Sequence, residues 1–225
     1  MTAMTPPMGW NSWNGFGRKI SEQVVLETAA ALVSSGLHDA GYTYLVIDDH
    51  WHGGRDASGN LLADPERFSH GIRWLADAVH TSGLKLGIYS DAAEKTCGGE
   101  VGSLGYEEQD ARTFAAWGID YLKYDYCHAP TDRATAYRRY LAMGRALQAA
   151  GRPIVYSLCE WGGRFPWLWG AEVGGQLWRT TGDIWDGWLS GEKSYHLGID
   201  LIGFELQKGL ERYAGPGRWN DPDML

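Results

Sequence analysis

The residues best suited to chemistry lie in Tyr121-Leu-Lys-Tyr-Asp-Tyr-Cys127, an apolar and aromatic run that reads as a buried strand ending in charge. Side chains alternate along a strand, so Lys123 and Asp125 point to one face and Tyr124 to the other. An ammonium beside a carboxylate is expected to hold that carboxylate ionised and to lower its pKa. An ionised, desolvated aspartate can act as a nucleophile or a base. For one isolated Lys-x-Asp a structural ion pair is the better explanation. Here the arrangement recurs. Ile47 runs into Asp48, Asp49 and His50, and Tyr89 runs into Ser90 and Asp91. Cys159-Glu160-Trp161, Arg179-Thr-Thr-Gly-Asp183 and Trp219-Asn-Asp-Pro-Asp223 close further β-prone stretches.

The elements that must hold these residues alternate. Strands are predicted near 6–13, 42–47, 84–89, 121–127, 154–158, 176–179 and 218–224 from β-branched and aromatic enrichment. Ser21 can cap a helix whose Val25, Ala29, Leu32 and Val33 fall at helical spacing. Further helices are predicted over 69–82, over 107–117, and from Thr131 to a stop at Gly151, the last with Tyr137, Tyr140, Leu141 and Gly144 on one face. A helical region is also expected after Asp183. Such alternation means βαβ units and a parallel sheet. Reactive residues at the C-terminal ends of all seven strands suit a (β/α)8 TIM barrel. A doubly wound sheet would also bind ligands there, but no Gly-x-Gly-x-x-Gly follows the first strand and no phosphate loop is present. The expectation is a single α/β domain, a (β/α)8 barrel truncated after strand seven.

Composition narrows the partners. The 225 residues are 44% apolar and 21% charged, an ordinary globular balance. A net charge of −8 argues against nucleic acid or an anionic membrane as the main partner. There is no transmembrane run, and the start Met1-Thr-Ala-Met-Thr-Pro-Pro7 lacks a basic and apolar leader, so the chain as given is expected in the cytoplasm, with secretion as the alternative. The spacing of Cys97, Cys127 and Cys159 does not make a zinc site, and one disulfide with a cysteine left over fits the count.

The barrel mouth would gather Asp48, Asp49, Asp91, Asp125, Glu160, Asp183 and Asp223 against Lys123 and Arg179. Carboxylates so placed could ligate a divalent metal, as in sugar isomerases, or flank a glycosidic bond. Lys123 beside Asp125 would repel a cation, which favours hydrolysis with no metal and no other cofactor.

The motifs Met8-Gly-Trp-Asn-Ser-Trp13, Ile47-Asp-Asp-His-Trp51, Gly87-Ile-Tyr-Ser-Asp91 and Lys95-Thr-Cys-Gly-Gly99 run in order with Lys123-Tyr-Asp-Tyr-Cys127, Cys159-Glu-Trp161, Arg179-Thr-Thr-Gly-Asp183 and Trp219-Asn-Asp-Pro-Asp-Met224. Together they resemble the α-galactosidases of glycoside hydrolase family 27, from near the N-terminus to the end of the chain. The resemblance implies a retaining hydrolase of terminal α-galactosides, with Asp125 as nucleophile and Asp183 as acid and base. The bland alternative for Asp183 is a cap on the helix starting at Ile184. The resemblance also implies that Asp48 and Asp49 bind distal hydroxyls and that Trp13 covers the apolar face of the ring. Lys123, Glu160 and Arg179 would contact hydroxyls on the far side, Arg179 in bidentate fashion. Tyr89, Cys97, Trp161 and Asp223 join the substrate-binding set, Asp223 packing with Met224 at the pocket wall. Cys97 and Cys127 match a pair that is disulfide-bonded in the family. His50 stands where a cysteine of a second disulfide often stands, and no partner cysteine lies near residues 15–19. The loop from Trp161 to Trp167 also departs from the familiar pattern. Galactose is expected over N-acetylgalactosamine because Glu160 would face the 2-position. An α-N-acetylgalactosaminidase and a β-L-arabinopyranosidase are the alternatives within the family; an isomerase-like metal barrel and an inactive sugar-binding fragment are those outside it. Residues 1–225 are then expected to form the catalytic barrel domain without its eighth β/α unit and the family's C-terminal β domain. Alone, the chain is expected to be aggregation-prone and nearly inactive.

Overall fold

The computed structural model describes residues 2–190 and 197–223. Its first strand, β1 (Gly9–Asn11), pairs in parallel with β2 (Tyr44–Val46). An antiparallel hairpin follows, β3 (His52–Arg55) and β4 (Leu61–Ala63). The main sheet then continues in chain order through β5 (Lys85–Asp91), β6 (Tyr121–Asp125), β7 (Val155–Cys159), β8 (Leu177–Arg179) and β9 (Trp219–Asp221). All seven sheet strands are parallel to their neighbours. Parallel neighbours need crossovers, and helices supply the early ones. The sheet curls, because residues from β1, from the central β6 and from β9 line one cavity of about 490 Å³. Among the described residues β1 and β9 do not pair, so the structure is a curled α/β sheet rather than a closed ring.

A four-residue helix, α1 (Trp13–Phe16), follows β1. The helix α2 (Glu22–Ser34) starts where Ser21 Oγ accepts the Val24 N–H at 3.4 Å. It buries Val25, Ala29 and Leu32, whereas Val33, expected on the same face, lies exposed. Next come α3 (Gly71–Thr81) and α4 (Glu107–Ala116). The helix α5 (Arg133–Ala149) is capped by Asp132, whose Oδ1 accepts the Thr135 N–H at 2.8 Å, rather than by Thr131. Gly144 of α5 is required by packing, since a Cβ there would run into the Val173 carbonyl. After Asp183, in the expected helical region, the described residues show a π-helical turn, Asp200–Glu205, and a 3-10 turn, Glu211–Tyr213. Met224 lies outside the described residues. No helix among the described residues is long and apolar enough to cross a membrane.

The β3–β4 hairpin was not predicted. Its turn is fixed by Asp56, whose Oδ1 accepts the Ser58 and Asn60 N–H groups at 2.8 Å each. Its anchor is Arg55, bidentate to the buried Asp110 of α4 at 2.7 Å and also bonded to the Gly59 and Gly102 carbonyls. Removing one partner strands the other as a buried charge. Arg55→Leu is therefore expected to cost roughly 3–5 kcal/mol, read as a lower urea midpoint, with part of the loss recovered in Arg55→Leu/Asp110→Leu.

Candidate active site

The sheet sets the level of the reactive groups. Asp91, Asp125 and Cys159 occupy one row across β5, β6 and β7, with Tyr89, Lys123 and Ser157 two residues below. Tyr124, on the opposite face, packs edge-on against Tyr140 and fixes the helix layer behind β6. Alternation thus turns Lys123 and Asp125 together toward the inside, as the sequence requires.

Asp125 is buried at the floor of a cleft. Its Oδ2 accepts the Tyr89 hydroxyl at 3.1 Å and its Oδ1 the Tyr126 N–H at 3.0 Å. The expected lowering of its pKa does not occur. Burial pushes the Asp125 carboxyl up to about 6, outweighing the pull of Lys123 and the Tyr126 N–H. The reason is geometric: the Lys123 ammonium bonds Asp48 Oδ2 at 2.7 Å. Burial is the largest single influence and would lower the Lys123 pKa, but the surrounding groups, Asp48 first and Asp125 among them, together outweigh it and keep the ammonium charged.

Asp48 and Asp49 lie just beyond the end of β2, where successive side chains need no longer diverge. Asp48 also accepts the Asn11 amide at 2.8 Å, and its own N–H donates to Ser12 Oγ at 2.9 Å. Asp49 accepts the His50 and Gly98 N–H groups, both at 2.7 Å. Both aspartates line the cleft. Trp13 forms one wall and is backed by His50, whose ring stacks on it at 6.1 Å between centroids and lies 3.2 Å from Glu100 Oε1 through Nδ1. Tyr89, Cys97, Trp161 and Asp183 complete the lining. Trp161 reaches it from a left-handed backbone, with φ of 58°.

Asp183 is the exposed acid of the pair, its side chain 41% accessible. It does not cap Ile184; the Ile184 N–H donates to Asp223 Oδ2 at 2.8 Å. Asp183 Oδ1 instead accepts Arg179 Nη2 at 3.0 Å. A buried carboxylate below and an accessible one at the rim can act on opposite sides of a bond held between them.

Three residues expected against the substrate, Glu160, Arg179 and Asp223, are not in the lining of this cleft. Glu160 is fully buried and engaged by Arg164, through Nη1 at 2.9 Å and the backbone N–H at 3.1 Å. Arg179 is buried and committed to protein groups: Asp183, Asp223 Oδ1 at 2.9 Å and the Thr181 carbonyl. Asp223 borders the larger interior cavity rather than the cleft. Glu160 and Asp223 already have protein partners, as do both terminal nitrogens of Arg179, while the buried Arg179 Nε has none.

Cys97 and Cys127 form a disulfide, leaving Cys159 buried and free. Asp91 sits beside this bridge with no exposed surface and accepts the Ala93 and Cys127 N–H groups at 2.9 Å each. Burial, and then the neighbouring Asp125 charge, push its carboxyl up to about 8. The sequence placed Asp91 at the mouth without a role; its signal was only its position at a strand end.

The family model described as "Alpha galactosidase A" matches residues 5–225. An alpha-galactosidase A from Cellvibrio japonicus is 50% identical over 99% of this chain and 55% of its own length. Alpha-galactosidase I from Mortierella vinacea superposes with a TM-score of 0.92 at 43% identity, covering all of this chain and 60% of that one. The alpha-galactosidase of Saccharomyces cerevisiae, in a structure with raffinose, gives 0.92 at 38% identity over 99% of this chain and 52% of that one. The chain spans about half the length of the curated relatives it matches. With cleft, motifs and matched span in agreement, the chain belongs to the melibiase-type alpha-galactosidase family, glycoside hydrolase family 27.

Proposed function

We propose that these residues form the catalytic part of a retaining α-galactosidase acting on terminal α-linked galactose in oligosaccharides or glycoconjugates. The observation that carries the reading is the meeting of Asp125 and Asp183 in one cleft walled by Trp13 and Trp161. Asp125 attacks the anomeric carbon and forms a glycosyl ester, while Asp183 protonates the leaving oxygen and then takes a proton from the incoming water. Asp48, Asp49 and Lys123 receive the sugar hydroxyls, the two carboxylates as acceptors and the ammonium as a donor. Support for the substrate class comes from relatives named alpha-galactosidase at about half identity. The curled, sequentially ordered parallel sheet supports the fuller fold, seven strands of a (β/α)8 barrel belonging to one catalytic domain. The Cys97–Cys127 bridge favours the secreted alternative, an oxidising compartment.

With Glu160 withdrawn behind Arg164, discrimination at the sugar's 2-position falls to the bulk of Trp161. On a panel of nitrophenyl glycosides, α-galactoside is expected to be cleaved fastest. Faster cleavage of the α-N-acetylgalactosaminide or the β-L-arabinopyranoside would reassign the substrate, and no cleavage of any would favour a binding protein. Because Asp125 must be ionised to attack and its carboxyl is held above the usual range, kcat/KM is expected to fall as pH drops through about 6. An acid limb near pH 4 would show a better-solvated nucleophile.

A further inference from the structure

The disulfide and the buried carboxylates stand close enough to matter to one another. One ligand atom from each of Asp91, Cys97, Asp125 and Cys127 falls within 4.8 Å of all the others. Cys97 Sγ lies 4.0 Å from Asp91 Oδ2 and 3.3 Å from the Tyr89 hydroxyl that donates to Asp125. Among the described residues, neither Asp91 nor Asp125 is paired within salt-bridge distance with a Lys, Arg or His. Lys123, the ammonium nearest in sequence, is bound to Asp48. While the sulfurs are joined they cannot serve as thiolates, and no soft cation has a reason to bind.

We propose that reduction of Cys97–Cys127 converts this corner of the cleft into a binding site for a thiophilic divalent cation such as zinc, with two thiolates and the carboxylates of Asp91 and Asp125 as ligands, and that occupancy shuts the site by capturing Asp125. Two sulfurs and two oxygens are a donor set that suits tetrahedral zinc. Ligand atoms about 2.0–2.3 Å from zinc stand roughly 3.3–3.8 Å apart, so the carboxylates draw in by about 1 Å and the two sulfurs, about 2 Å apart while bonded, part by roughly 1.5 Å. Once deprotonated, the four ligands bring four negative charges to a divalent ion, which outweighs the neighbouring ammonium. Cys97 is exposed, giving both reductant and cation a way in.

The chemistry balances with a phosphine as reductant. Its phosphorus attacks one sulfur and the S–S bond breaks. Water then supplies the oxygen of the phosphine oxide and the two protons of the thiols. Cation binding releases those two protons again, together with any proton held by the Asp91 or Asp125 carboxyl. The metal is an inhibitor here, not a cofactor, and its effect rests on the hydrolase reading given above; its binding does not.

The test uses the full chain, oxidised or phosphine-reduced, titrated with cobalt(II) as a spectroscopic stand-in for zinc. Reduced protein should take up one cobalt with a thiolate charge-transfer band and tetrahedral visible bands, bleached by added zinc; oxidised protein should show neither. Cys127→Ser, Asp91→Asn and Asp125→Asn, each checked for native circular dichroism, should each weaken cobalt binding by about a hundredfold or more. Galactosidase activity should fall with zinc occupancy only after reduction and return when a chelator removes the metal. Reduced protein without a thiolate band, or Cys127→Ser or Asp125→Asn binding as tightly as wild type, would overturn the proposal. Zinc inhibition of the oxidised protein to the same degree would overturn the gating. If the chain shows no galactosidase activity in any state, that counts against the hydrolase reading alone, since the cobalt spectrum is read independently.

Discussion

Asp125→Asn is expected to lower α-galactoside turnover by about 10⁴-fold or more, the scale of loss when a covalent nucleophile is removed. The substitution keeps shape and removes the charge that attacks. Asparagine can still accept the Tyr126 N–H through its amide oxygen and turn its NH2 to donate to the Tyr89 hydroxyl oxygen, so the end of β6 should keep its geometry. Stability should not suffer. The Asp125 carboxyl titrates above its unfolded value, so the folded state loses stability as pH rises from the ordinary carboxylate range through about 6. A neutral residue escapes that loss, and the variant should melt at or above the wild-type temperature at neutral pH. Azide is small enough to enter the space left by Asp125→Gly, and it should restore turnover with a glycosyl azide of inverted configuration. Retention of more than a few per cent of activity by Asp125→Asn would mean that another group attacks.

Strand positions were legible because buried parallel strands carry short β-rich runs, and Tyr121–Asp125 and Val155–Cys159 are such runs. The hairpin from His52 to Ala63 escaped because His52-Gly-Gly-Arg55 has little β-propensity and is held by a long-range contact, Arg55 with Asp110. Helices read well where the apolar period was regular, as in α2 and α3. Between β8 and β9 the chain is rich in glycine, and no period distinguishes a short turn from a helix.

The site divides along a similar line. Residues that close a strand and face the sheet's inside are fixed by alternation, which is why Asp125, Lys123 and Tyr89 meet where the sequence puts them. The choice of partner among several charges is not local. Lys123 stands two residues from Asp125 yet bonds Asp48 across two strand pairings. Glu160 has a reach suited to a sugar hydroxyl, but Arg164, four residues on, takes it first. Arg179 likewise turns one terminal nitrogen to Asp183 and the other to Asp223, a sharing that its own sequence neighbourhood does not announce. Asp223, in turn, performs the capping at Ile184 that had been the structural alternative for Asp183.

That exchange bears on the second large effect expected. Relieved of the cap, Asp183 keeps an accessible carboxyl at the rim, steadied from below by Arg179 at 3.0 Å. An acid in that place matters in proportion to how much help the departing oxygen needs. Asp183→Ala should therefore lower kcat/KM by about 10²–10⁴-fold on a galactosyl sugar, whose alkoxide leaves poorly without a proton. On a dinitrophenyl galactoside, whose phenolate leaves unaided, bond cleavage should be nearly unaffected and release of the glycosyl enzyme should become limiting. Azide, which needs no base, should then speed turnover of the aryl substrate and yield a galactosyl azide of retained configuration, opposite to the product from Asp125→Gly. Arg179→Lys keeps a positive charge but loses the fork that holds Asp183 and Asp223 together, so it should show a weaker form of the same leaving-group dependence. Equal losses of Asp183→Ala on both substrates, with no azide effect, would mean that Asp183 shapes the cleft without transferring a proton. The split between substrates separates proton transfer from shape, because a misshapen cleft penalises good and poor leaving groups alike.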